Sequence, residues 1–356
     1  MRFFIFLIAL YYAVSGHASQ NTTFKFSIDT YSAPVSIHAF TSDWHDDLKS
    51  GDNAFLHGLA ELSIQNTQRK LSLLWRYDYL LDFDEQTAQL YHAYANDYAP
   101  KVSTAYPLHI KAKYSESYGV QWLQKFHFKP NITLGIGLSL LKGYKITDGQ
   151  LDGTVFLQQA GFKVKDIQQA NANVNYYYDE PQLQEEQLDW HPRNPSAMGF
   201  SINTTLIWQL TPQWLLNAQI DDIYGRLYWK DIPTTQYNLS CKCSNFIHNI
   251  DGQLAVANKY TQHLQPLAKV QLSYSGAQNW HAELNTVSNT QMTLVQGAWG
   301  YQYASWQGLL LLEPQTHAIG IELRHPNWHL RWLTDNLNSN QAHRLGLSLG
   351  VNKSWY

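Results

Sequence analysis

The side chains most able to do chemistry are ionisable groups on the strand face opposite an apolar stripe. They are Arg76, Asp78, Asp221, Lys269, Glu283, Glu322, Arg324, Arg331 and Arg344. In an extended strand successive side chains point to opposite faces, so a charge between two apolar residues points away from them. Gathered on one inner face, such groups could line a polar passage and filter solutes. Equally, they could cross-brace a closed interior, with Glu322 or Asp221 paired to an arginine. Both signs occur, so no simple preference for anions or cations follows.

Two smaller clusters invite other chemistry. Cys241-Lys242-Cys243 lies ahead of His248. In an oxidising compartment the pair could form a disulfide, although a bridge across one residue closes a small, strained ring. Free or intermolecular thiols, or a metal held with His248, are the alternatives, and three ligands at this spacing form a weak metal pattern. His45 beside Asp43, Asp46 and Asp47 could hold a divalent cation through oxygen ligands, but the spacing is not that of a calcium-binding helix–loop–helix, and a solvated loop explains it as well. His57, His92 and His343 have polar neighbours that a hydrolase could use. No G-x-S-x-G or H-E-x-x-H ties a nucleophile to a base, and no glycine-rich nucleotide loop or haem-attachment motif is present. The expectation is therefore no catalytic residue, no metal and no cofactor.

These residues need elements to position them, and the elements read as strands. Leu71, Leu73, Trp75, Tyr77 and Tyr79 share a face opposite Ser72, Arg76 and Asp78. Ile132 to Leu140, Phe200 to Trp208, Trp214 to Asp221, Ala268 to Tyr274 and Ile319 to Arg324 alternate in the same way. Turn chemistry separates them at Asn66-Thr67-Gln68, Lys129-Pro130-Asn131, Thr211-Pro212-Gln213, Ser275 to Gln278 and His325-Pro326-Asn327. Trp214, Trp280 and Trp328 follow three of these turns, where an indole suits a membrane–water interface. Longer polar connections fall near 42–53, 84–105, 180–196, 229–263 and 335–340, and residues 85–97 suit a short helix. Counting up and down predicts about 16 antiparallel strands, with 14 the alternative.

The beginning of the chain and its composition narrow the class. Met1-Arg2, an apolar run from Phe3 to Val14, and Ser15-Gly16-His17-Ala18 have the form of a cleavable export signal over residues 1–18. Residues 19–356 then form one domain, with no linker or fixed repeat. Aromatics make up 14% and charged residues only 15%, against about 25% charged in typical soluble domains. Mean hydropathy is −0.37, which excludes a bundle of membrane helices. A net charge of −3 argues against nucleic acid as a partner.

The alternating tail, Leu345, Leu347, Leu349 and Val351 ahead of Trp355, resembles the C-terminal assembly signal of bacterial single-chain outer-membrane β-barrel proteins. Lys353 and the extra residue Tyr356 depart from that pattern. The resemblance is to the class and to no named family within it. It implies a transmembrane antiparallel β-barrel with short periplasmic turns and long extracellular loops, located in the outer membrane. It also implies outer-membrane lipid and the barrel assembly machinery as partners, and Trp214, Trp280, Trp328 and Trp355 as interface aromatics. The function expected is a channel or transporter for a small solute. A closed structural or assembly barrel and a membrane-embedded hydrolase are the alternatives.

Overall fold

A computed structural model describes residues 20–98, 100, 105–157, 167–183, 185–242 and 247–355. The expected export signal lies outside these residues. Sixteen strands form a single antiparallel sheet. They are β1 (Gln20–Ser32), β2 (Asn53–Gln65), β3 (Arg69–Phe83), β4 (Ala105–Lys129), β5 (Ile132–Leu157), β6 (Ile167–Tyr178), β7 (Ser196–Gln209), β8 (Trp214–Lys242), β9 (Ile247–His263), β10 (Leu267–Ser275), β11 (Trp280–Ser288), β12 (Thr293–Tyr303), β13 (Trp306–Glu313), β14 (Ala318–His325), β15 (Trp328–Thr334) and β16 (Arg344–Trp355). Among the described residues two α-helices, α1 (Ile37–Thr41) and α2 (Glu85–Ala95), sit in loops.

The sheet closes on itself. The last strand pairs with the first, from Gln20 opposite Trp355 to Tyr31 opposite Arg344. On the other side β10 pairs with β8, and β7 pairs with both β8 and the first half of β5. Fourteen strands thus complete the ring, and β6 and β9 stand outside it. Above the ring, the second half of β5 pairs with β6, β6 with the far end of β8, and β8 with β9. A ring of strands leaves no edge unpaired, which is what an apolar solvent demands of backbone N–H and C=O groups.

Within 229–263, expected as a loop, residues 229–242 are instead the end of β8 and residues 247–263 are β9. Its polar residues blur the alternation that marks a half-buried strand, but backbone pairing with β6 holds it extended. The five expected turns all connect neighbouring strands at one end of the ring. Residues Ala304 and Ser305 make a further turn there, between β12 and β13.

Burial is inverted relative to a soluble fold. Leu138, Leu140, Ile202, Leu284, Leu310, Ile319, Ile321 and Val351 all lie exposed on the outer wall, and Leu140 and Leu310 are each 61% exposed. Ser72, Ser139, Ser201, Asn203, Glu283, Glu322 and Ser348 are buried on the inner wall. An apolar outer belt of this extent would be unstable against water and is matched to lipid. At the turn end the belt finishes in aromatics. Trp280 stacks on Trp299 with ring centres 4.8 Å apart, Trp306 meets Trp328 edge-on at 4.8 Å, and Trp214 lies 4.8 Å from Tyr274. Indole and phenol rings at this level match the interfacial girdle of membrane barrels.

Candidate functional site: a charged lumen

The ring encloses a cavity of about 660 Å³. Its lining reaches Thr23, Gln65, Lys125 and Asn217 near the turn end, and Asp29, His57 and Glu313 towards the loop end. Along most of each contributing strand the polar lining residues share one parity, as Thr23, Lys25, Ser27 and Asp29 do on β1. Three hydrogen-bonded groups of charges cross this interior.

The first group joins β3 to β8. The Arg76 guanidinium donates to both carboxylate oxygens of Asp222, at 2.9 and 2.5 Å, and to Asp78 at 2.8 Å. Asp222 has a left-handed backbone, φ 55°, at a break in the β7–β8 register. That break turns its side chain inward, where Ser201 donates to it while its own N–H donates to Asn203 at 2.8 Å. A fork-to-carboxylate pair of this kind fixes geometry as well as charge. His57 Nδ1 lies 3.2 Å from Asp78, while its Nε2 is buried with no hydrogen-bond partner.

The second group joins β14 to β11. Arg324 donates to both oxygens of Glu283 and to Glu322. His281, at 2.9 Å, and Gln271, at 2.7 Å, also bond Glu283, and His329 lies 3.1 Å from Glu322. The third group is at the loop end. Arg344 is 1% exposed; its Nε donates to Glu313 at 2.7 Å and its Nη1 to Asp29. Beside it Phe55 and Leu80 meet Leu294 across the lumen, forming an apolar constriction with Tyr31 and Met292.

Of the residues expected to face inward, Arg76, Asp78, Asp221, Lys269, Glu322, Arg324 and Arg331 line the cavity. Glu283 and Arg344 reach it through Arg324 and through Asp29 with Glu313. As inward-facing groups, sequence reasoning missed Lys25, Asp29, Glu61, Lys70, Asp222 and Glu313, and it weighed His57 only for catalysis. Most of these are on β1 and β2, where Lys25, Asp29, His57 and Glu61 alternate with Phe24, Phe26, Ile28, Leu56, Ala60 and Leu62. That alternation was legible and could have found them. Asp222 was not, because its parity is reversed by the register break. Trp214 and Trp280 lie exposed at the turn end and Trp328 packs on Trp306. The side chain of Trp355 lies outside the described residues.

Cys241 is buried in β8 against Leu157 and Ala170 rather than in a loop. Cys243 lies outside the described residues, and the expected disulfide with it. His45 forms an exposed pair with Asp43 at 3.0 Å. Among the described residues no group of three or more His, Cys, Asp or Glu side chains is arranged to hold a metal.

Beyond the ring, the loops carry a packed cap. Val35, Ala39, Trp44, Phe83 and Ala88 form one apolar cluster that ties residues 33–48 to α2. His92 of α2 sits between the Tyr98 hydroxyl, 2.7 Å away, and the Asp46 carbonyl, 2.6 Å away. His343 donates from Nδ1 to the Ser32 carbonyl at 2.9 Å, and burial pulls its pKa below the usual imidazole value. In the strand extension, burial pushes the Asp148 carboxyl up, against the opposing effects of its Tyr260 hydrogen bond and of Lys113.

No protein-family model matches the chain, and no curated protein matches it in sequence. Solved structures do resemble it. The toluene transporter TodX of P. putida is 7% identical, with TM-score 0.44, over 96% of this chain and 91% of that one. A Pseudomonas aeruginosa FadL homologue is 11% identical, with TM-score 0.28, over 94% and 88%. The outer membrane protease OmpT from Escherichia coli is 8% identical, with TM-score 0.27, over 96% and 98%. At the level of class, the chain resembles outer-membrane β-barrels. At these identities and scores nothing of those proteins' activities carries over, and the strand pairing is what establishes the barrel here.

Proposed function

We propose that the chain is an outer-membrane channel that carries a small polar solute through its lumen. The observation that supports this most is the cavity itself: about 660 Å³ of space inside a closed ring, into which charged, amide and hydroxyl side chains project between apolar ones such as Leu74, Leu123 and Val270. An interior meant only for stability is better filled with apolar side chains, since burying ion pairs gives little net stabilisation. A wall of fixed charges and hydrogen-bonding groups instead replaces part of a solute's hydration shell as it passes. In this reading the turns face the periplasm, the strand extension and cap face outward, and lipid contacts the apolar belt. Export by the N-terminal signal and insertion by the barrel assembly machinery complete the pathway.

The cap and the constriction at Phe55, Leu80 and Leu294 make the passage restrictive at its loop end. The expected result is small, discrete conductance steps in planar bilayers and swelling of liposomes by small sugars or amino acids. A protein that shows heat-modifiable migration, hence a folded barrel, yet gives neither steps nor swelling would defeat the channel reading in favour of a closed barrel.

A further inference from the structure

Among the described residues, two lysines in the lumen make no hydrogen bond or ion pair. Lys25 comes from β1 and Lys269 from β10, strands that lie seven neighbours apart in either direction round the ring. Both line the cavity. Lys25 is in electrostatic contact with Lys269, Lys70, Glu61 and Asp221. The two carboxylates at this level are already engaged. Glu61 takes Lys70 at 2.6 Å and the Ser72 hydroxyl at 2.5 Å. Asp221 receives the Gln219 amide on both oxygens at 2.8 Å. Lys25 and Lys269 make no hydrogen bond or ion pair among the described residues. Lys125, from β4, also lines the cavity and bonds only the neutral Gln65 side chain, at 3.3 Å.

Two ammonium groups that face each other across a confined space repel, and the repulsion grows as water is excluded. Arg76, Arg324 and Arg344 resolve such conflicts by pairing, and Arg331 acts electrostatically on the Asp29 carboxylate. The lysine level has no such resolution. It presents donors from opposite walls with free space between them, which suits a ligand that brings its own negative charge. We infer that this level is a binding site for a small oxyanion, phosphate or carboxylate, held between Lys25 and Lys269 with Lys125 on the periplasmic side. The inference rests on the channel reading for its role, since a site midway along the lumen would select which solutes pass. As a binding site it stands without that reading.

The test uses the full barrel refolded in detergent, with inorganic phosphate and succinate as separate calorimetric probes. Saturable binding of at least one probe is expected, because hydrogen bonds to charged groups are the stronger kind. Lys25→Gln or Lys269→Gln should weaken it by about tenfold or more. Lys269→Arg should restore most of it, which excludes misfolding as the cause. Lys259→Gln, exposed on β9 outside the ring, should change nothing. Phosphate binding without succinate binding assigns a phosphoryl ligand, and the reverse assigns a carboxylate. Failure of both probes to bind, or binding indifferent to Lys25 and Lys269, overturns the site. Conductance is measured separately. Binding without conductance retains the site and removes the channel, while conductance with no binding does the opposite.

Discussion

The Arg76–Asp222 brace is the most exposed point of the lumen's architecture to a single substitution. Asp222 has a side chain only 1% exposed, and Arg76 is the cation that neutralises it. Replacing Arg76 with Met keeps the aliphatic stem and removes the charge. A buried carboxylate left without its partner costs about 3–5 kcal/mol. Two bonds to Asp222 from β3 are lost together, and only Ser201 and Asn203 remain to hold Asp222 through short-range contacts. Arg76→Met should therefore lower the urea midpoint for unfolding in lipid vesicles by an amount equivalent to a few kcal/mol. The double variant Arg76→Met, Asp222→Asn removes the orphaned charge and should recover much of that loss. The coupling read from the cycle should be of the order of 2 kcal/mol or more, since the pair shares a bidentate contact. Arg76→Lys should fall between, because an ammonium keeps the charge and loses the fork. Equal stability of Arg76→Met and the parent, or a double variant no better than the single, would refute the argument that this pair braces the walls. It would mean that the lumen is wet enough for Asp222 to be solvated without help.

Other outcomes follow from the same geometry. Phe55→Ala combined with Leu294→Ala should raise single-channel conductance, because these side chains meet across the lumen at the loop end; an unchanged step size would place the narrowest point elsewhere. His343 has a depressed pKa in the fold, so its contribution to stability is present above about pH 6.5 and fades as pH falls below that towards the folded value. Limited proteolysis within residues 33–52 should accelerate between pH 7.5 and pH 5.5, and His343→Asn should flatten that dependence. Asp148 is shifted the other way, so acidification should stabilise the strand extension as the carboxyl takes up its proton; Asp148→Asn should protect β6 and β9 from protease at neutral pH. Trp306→Ala removes an edge-on contact with Trp328 and should cost about 1 kcal/mol beyond its lost area, seen as a lower midpoint in heat-modifiability.

What could be read early depended on where each residue sits relative to the bilayer. Within the belt, lipid outside and polar groups inside force a period of two, so strands such as Ile132–Leu140 and Ile319–Arg324 declare both their extent and their inner face. The turns at Asn66, Pro130, Pro212, Gly276 and Pro326 follow from backbone chemistry that needs no tertiary context. Helix α2 was legible for a similar reason: Asp84 accepts from the Thr87 N–H at 2.6 Å as an ordinary N-cap. Above the belt the rule lapses. β9 and the end of β8 carry Asn, Gln and Tyr on both faces, and nothing local marks them as strands rather than loop.

The sequence by itself determined that the chain is built of alternating strands with one apolar and one polar face, because alternation is a local property of the pleat; that the strands close into a ring was only implied by resemblance. Only the tertiary structure decided which charges meet. Asp222 reaches Arg76 through a register break that no periodicity encodes, and Arg344 finds Glu313 two strands away in the ring beyond its immediate neighbour. Closure fixed the ring at fourteen strands and put two of the sixteen outside it, a choice made by which half of β5 and β8 finds which partner. The same closure left Lys25 and Lys269 facing each other from opposite walls, since distance across a lumen is set by strand number and tilt, and neither is written in any single strand.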